Sequence, residues 1–202
     1  MIGVIGPLVQ GKRELRGSVS SVAIFAAAAI LGAALTGVVV GLIGGVVQSV
    51  FDERTLAIAV GVAGAVLLVA DLGLLGLRSP TLRRQTCSTW YLQRGPRSVW
   101  KFWGFDLGLG FSTIRLSSLY WLMVLFVAAF VSPVLAPLAL AFYGLGLGVA
   151  FAAAVVAQAW STPSTTSPGL GLLHAAATVR LVSVGFLGFA SLLILTWGAT
   201  WP

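Results

Sequence analysis

Hydrophobic positions in this chain come in long unbroken runs rather than in alternation. From Gly17 to Phe51 no residue is charged. The centre of that run, "SSVAIFAAAAILGAALTGVVVGLIGGVV", predicts one membrane-crossing helix over 20–47, since about 20 apolar residues suffice to cross hydrocarbon. The cluster "DERT" follows as a turn. A second span is predicted over 56–77, "LAIAVGVAGAVLLVADLGLLGL", with Asp71 in its second half. A polar stretch over 78–101 separates it from a third span over 112–131. "VSPVLAP", with Pro133 and Pro137, then makes a tight connection to a fourth span over 136–159. "WSTPSTTSPGLG" is an uncharged polar loop before a fifth span over 177–199. Segment 102–131 has room for an interfacial or re-entrant piece ahead of its helix. A transmembrane β-barrel needs short segments of alternating polarity, and these runs do not alternate. The pattern therefore predicts an all-α polytopic membrane protein. It is a single transmembrane domain over 1–202, a bundle of about five helices.

Composition strengthens this reading. The chain is 58% hydrophobic and 8% charged, with a mean hydropathy of +1.03. Soluble domains carry about 25% charged residues. A soluble fold of this length would lack the polar side chains to cover its surface, and disorder is excluded for the same reason.

Charge sets the orientation. Lys12, Arg13 and Arg16 precede the first span. Arg78, Arg83, Arg84, Arg94, Arg97 and Lys101 lie in the 78–101 loop, which holds no acid. Two spans separate the clusters, so both fall on one side of the membrane. The positive-inside rule makes that side cytoplasmic, which puts the N-terminus inside. The net charge of +7 then reflects topology and contact with anionic lipid headgroups, not nucleic acid. The N-terminal segment lacks the charge order of a signal peptide, so the chain is expected to be retained whole.

Chemistry-bearing motifs are few. One cysteine, Cys87, excludes an internal disulfide and a CxxC pair. There is no HExxH or GxSxG and no clear pair of catalytic carboxylates. "LGLGF" at 107–111 lacks the full glycine-rich phosphate fingerprint. His174 reads as an interfacial residue. No enzymatic activity, cofactor or metal is expected.

Glycines recur at four-residue spacing: Gly37, Gly41 and Gly45; Gly104 and Gly108; Gly144 and Gly148. That spacing puts them on one helix face and lets another backbone come close, which is how helices associate in lipid.

Ionisable residues within apolar runs are the candidate site. They are Asp71, Asp106, Arg115 and Arg180, with His174 and Gln158 near the same level. Charges inside a span are costly and normally face protein or water. Two readings stay open. The arginines anchor helix ends at the headgroups, with the acids pairing to them for stability. Alternatively the four residues line a cytoplasm-facing cavity, the acids binding a cation or proton and the arginines an anion. "TIRLSS" at 113–118 is echoed by "TVRLVS" at 178–183, an internal repeat that would make the third and fifth spans equivalent. Such repeats are common in transporters.

Gly-rich helix starts and the proline pair of "SPVLAP" resemble the transmembrane family of cytochrome c biogenesis and thiol-disulfide transfer proteins, within the amino-acid exporter superfamily. The resemblance, over spans three to five, implies inverted three-helix repeats and movement of reducing equivalents or small solutes. The membrane cysteine pair of the redox members is missing here, five spans differ from the usual six, and no catalytic residue carries over.

The function expected is a small-solute transporter or permease-like subunit, multi-pass in the inner or plasma membrane, with Asp71, Asp106, Arg115 and Arg180 as substrate-binding residues. Its partners are the lipid bilayer and anionic headgroups, with homo-oligomers or other membrane subunits. The alternative is a non-transporting subunit or assembly factor that docks a cytoplasmic partner or anionic lipid through Arg83, Arg84, Arg94 and Arg97.

Overall fold

The computed structural model describes residues 15–74, 96–110, 118–160 and 168–200, and these are all helix or short connection. Six helices follow one another: α1 (Leu15–Val50), α2 (Glu53–Asp71), α3 (Pro96–Leu109), α4 (Leu119–Phe130), α5 (Ala136–Trp160) and α6 (Pro168–Thr200). Four stretches are long and apolar enough to cross a membrane: Val19–Val50, Glu53–Asp71, Ala136–Ala153 and Arg180–Thr200.

α1 is the central post, and small residues let its neighbours reach its backbone. On α3, a side chain added at Gly104 would strike the Phe25 carbonyl, and one at Gly108 the Ala29 carbonyl. On α5, a Cβ at Gly144 would lie 2.6 Å from that same Ala29 carbonyl, and one at Gly148 2.6 Å from the Ala26 Cβ. Ala29 is fully buried between the two glycine faces. Higher on α1, a Cβ at Gly37 would lie 2.5 Å from the Pro137 Cα, and one at Gly41 2.7 Å from the Pro133 carbonyl. The glycine repeats are thus helix contact faces, and the two prolines of "SPVLAP" pack on them.

These pairs fix direction. Phe25 meets Gly104 and Ala29 meets Gly108, so α3 runs parallel to α1. Gly44 lies against Ala128, and Gln48 Nε2 donates to the carbonyls of Ala128 at 2.9 Å and Val131 at 3.0 Å, so α4 continues the same way along the upper half of α1. α5 runs back. The second pair, α2 and α6, is antiparallel: Ala57 meets Gly198, Gly61 meets Leu195, and Gly64 meets Ser191. Leu122 and Ala129 of α4 pack into the α2–α6 core, and Val127 packs into the core shared with α1 and α5. α4 therefore joins the two groups.

Asp52 starts α2. Its carboxylate accepts from Thr55 N at 3.0 Å and Thr55 Oγ1 at 2.6 Å, an N-cap that satisfies a free backbone donor and holds the Asp52 carboxyl below its ordinary value of 3.8.

Two expected boundaries are corrected. The second span ends at Asp71 rather than 77, because Gly73 takes φ 72 and turns the chain out of the helix. Of the third span, expected over 112–131, residues 112–117 lie outside the described residues and Leu119–Phe130 is helix. The loop expected over 78–101 gives way to helix α3 at Pro96. Its tryptophans explain this: Trp100 and Trp103 sit buried with Phe25, Val99 and Leu107, which makes α3 an integral part of the bundle.

Candidate functional site

α3 and α4 lie end over end along α1, and the helical path is interrupted at Gly110. Gly110 closes α3 with φ 78 and is buried. The break stands at the level of Thr36, near the middle of the Val19–Val50 stretch. Thr36 Oγ1 donates to the Leu109 carbonyl at 3.0 Å and to its own Gly32 carbonyl at 3.2 Å. The Tyr120 hydroxyl donates to the same Leu109 carbonyl at 3.2 Å. Irregular backbone at membrane depth needs such partners, because lipid supplies none. Thr36 and Tyr120 are both buried, and the Tyr120 ring packs tilted against Tyr143 of α5, centroids 4.9 Å apart.

On the other side of the break stands Asp71, the last residue of α2, with 3% of its surface exposed. Its Oδ2 accepts from Ser118 N at 2.6 Å and its Oδ1 from Ser118 Oγ at 2.7 Å. Ser118 begins α4, so the carboxylate sits at the positive end of that helix and takes one of its free amides. The Asp71 backbone carbonyl in turn accepts from Arg180 Nη2 of α6 at 2.8 Å. A cation thereby meets the negative end of α2. One residue joins three helices through two opposite dipole ends.

Of the four predicted residues, the structure brings Asp71 and Arg180 together, through the backbone carbonyl of the aspartate and not its carboxylate. Asp106 stands half-buried on α3, one turn before the helix ends. Arg115 lies outside the described residues, as do Arg83, Arg84 and Arg94; Arg97 is in the first turn of α3. Sequence reasoning missed Thr36, Ser118 and Tyr120. A signal existed for each: Thr36 is a hydroxyl set among Ala, Leu and Val, Ser118 ends the "TIRLSS" echo, and Tyr120 follows two residues later. The two echoed segments converge here, since Ser118 of the first and Arg180 of the second both bond Asp71. Among the described residues no cluster of histidine, cysteine or carboxylates forms a metal site.

The apolar surface completes the class. Leu31, Leu42, Ile43 and Val46 of α1, and Leu181, Phe186, Phe189 and Leu192 of α6, are all more than half exposed. In water such a surface would aggregate; in lipid it is solvated. With four helices long and apolar enough to cross, this is the pattern of a multi-pass membrane protein. Compared with known proteins, the chain matches no protein-family model, no curated protein and no solved structure.

Proposed function

We propose that the chain is a small-solute transporter or permease-like subunit of the inner or plasma membrane, and that its solute path passes the break between α3 and α4. The observation that carries this reading is the interruption itself, midway along α1, with a buried carboxylate beside it. An uninterrupted helix would satisfy every backbone group at no cost. Breaking one in the middle of a bundle leaves helix ends there, and transporters use such ends to hold ions and solutes. α3 and α4 count together as one interrupted crossing. The chain then crosses five times, with the N-terminus and the basic segment ahead of α3 both cytoplasmic. Asp71 already occupies the positive end of α4. The negative end of α3 at the break favours a small cation or a proton there. Asp71 is the residue that binds or releases it, Thr36 and Tyr120 line the break, and Arg180 holds α2 in place.

One observation favours the rival role, a non-transporting subunit that docks a partner or anionic lipid through Arg83, Arg84, Arg94 and Arg97. Asp71 and Arg180 tie α2, α4 and α6 together, which stability alone would explain. Flux in reconstituted vesicles separates the two. Labelled amino acids, inorganic cations and pH jumps are applied to wild type and Asp71→Asn, with current and isotope uptake both read. Solute-specific uptake, lost in Asp71→Asn while the purified protein still unfolds cooperatively, supports transport. Silence in both readouts, with a co-purifying partner lost when the four arginines become glutamine, supports docking.

A further inference from the structure

α4 is held by a different helix at each end. At its last turn, Gln48 Nε2 of α1 donates to the carbonyls of Ala128 and Val131, and Gly44 lies against the Ala128 backbone. At its start, the Asp71 carboxylate of α2 accepts from Ser118 N and Ser118 Oγ. We infer that α4 is a lever. It pivots on its Gln48 end, and its Ser118 end swings with α2 and α6, parting Tyr120 from Leu109 and Tyr143. This deepens the transport reading and rests on it for the purpose of the motion.

The bonds decide where the first turn of α4 parts. Toward α2, its bonds of 2.6 and 2.7 Å end on a carboxylate. Charge-assisted bonds are roughly twice as strong as neutral ones. Toward α3, the Tyr120 hydroxyl donates to the Leu109 carbonyl at 3.2 Å, a longer and neutral bond. Toward α5, the Tyr120 ring packs tilted on Tyr143. The first turn therefore stays with α2 and leaves α3 and α5. At the last turn the balance is reversed. The Gln48 bonds and the Gly44 contact go to α1, while Phe130 meets α6 edge-on through the Trp197 ring.

The hinges lie together at the pivot. α1 turns into α2 at Phe51 and Asp52, just beyond Gln48. Val131, extended at φ −96 and ψ 131, ends α4 at the same place. Such element ends absorb dihedral change while helices move as units. Glycine faces bring backbones together inside each group, with Gly61 and Gly64 of α2 on α6, and Gly104 and Gly144 on α1. Between the groups, the α2–α6 core packs on side chains: Leu122 and Ala129 of α4, and Val47 of α1 beside the pivot. The 12 residues of α4 rise about 18 Å, so a tilt of about 10° carries its start by about 3 Å. That is enough to break the Tyr120–Leu109 bond.

Modification of buried thiols by aminoethyl methanethiosulfonate, in the reconstituted full-length chain carrying Cys87→Ser, tests this. Single thiols are introduced by Thr36→Cys at the break, Val127→Cys near the pivot, and Ser191→Cys where α2, α6 and α4 meet. The native residues there are 4%, 4% and 2% exposed, so the rate of modification reads the open population. Tyr120→Phe is expected to raise the rate at position 36 about fivefold, the effect of one neutral hydrogen bond. The rates at 127 and 191 stay at their values without Tyr120→Phe. The lever is overturned if the rate at 36 does not change. It is also overturned if 127 accelerates as much as 36, which is loosening throughout, or if 191 accelerates, which is α4 leaving α2 and α6. Silence in the flux assay together with the fivefold rise sinks transport and keeps the lever; flux without the rise keeps transport and sinks the lever.

Discussion

Replacing Asp71 is the sharpest test of how the three helices are held. The carboxylate accepts two short hydrogen bonds from Ser118, at 2.6 and 2.7 Å, in a site that is 3% exposed. A hydrogen bond to a charged group contributes about 1.5–3 kcal/mol, and an unpaired buried donor costs about 1–3 kcal/mol. Asp71→Ala removes both bonds and leaves the Ser118 amide without that acceptor. The expected loss is about 3–5 kcal/mol, from the lost bonds to the charged group together with the orphaned amide. Asp71→Asn behaves differently. Its Oδ1 can still accept from Ser118 N, and its Nδ2 can donate to Ser118 Oγ, whose hydroxyl can rotate to accept. Only the charge assistance goes, so the loss is about 1–2 kcal/mol. Ser118→Ala costs about 1–2 kcal/mol for its hydroxyl. In a double-mutant cycle Asp71→Ala and Ser118→Ala couple by about 1.5 kcal/mol, near the top of the range seen for hydrogen bonds in membrane proteins. The assay is reversible unfolding in mixed micelles titrated with a denaturing detergent, followed by tryptophan fluorescence. The reasoning is refuted if the alanine and asparagine variants agree within about 0.5 kcal/mol, or if the costs of Asp71→Ala and Ser118→Ala simply add.

Two further outcomes are expected. Gly144→Ala places its Cβ 2.6 Å from the Ala29 carbonyl, so it loses about 1–3 kcal/mol through overpacking, whereas Gly146→Ala, which meets nothing within 4 Å, unfolds as wild type or slightly later in the same titration. Asp52, its pKa lowered by the Thr55 hydroxyl and then the Thr55 amide, binds fewer protons folded than unfolded. Its contribution is therefore present above the ordinary value of 3.8 and lost as pH falls through the depressed one; melting curves of wild type drop over that window, and those of Asp52→Asn drop less.

What the sequence determined was the solvent and most of the elements. The uncharged run from Gly17 to Phe51 allows no other reading than a helix in lipid, because hydrocarbon demands that backbone groups be paired within the segment. The fourth span, expected over 136–159, is helix Ala136–Trp160. Gly37, Gly41, Gly104, Gly108, Gly144 and Gly148 were legible as contact faces, since spacing alone puts them on one side of a helix. Three things were decided by the tertiary structure. One is where the third passage breaks: "FDLGLGFSTIRLSS" is apolar enough to read as the start of a helix, and only the burial of Trp100 and Trp103 against α1 makes a separate helix of Pro96–Leu109. Another is the role of Arg180, which composition pairs with a carboxylate and the fold gives to a backbone carbonyl. The last is the partnership of Asp71 with Ser118, 47 residues apart in sequence. Local patterning reports what each segment must bury and never which distant segment will bury it. A helix end exposes amides whose partner is chosen by whatever packing brings near, and at the start of α4 that partner is the last side chain of α2.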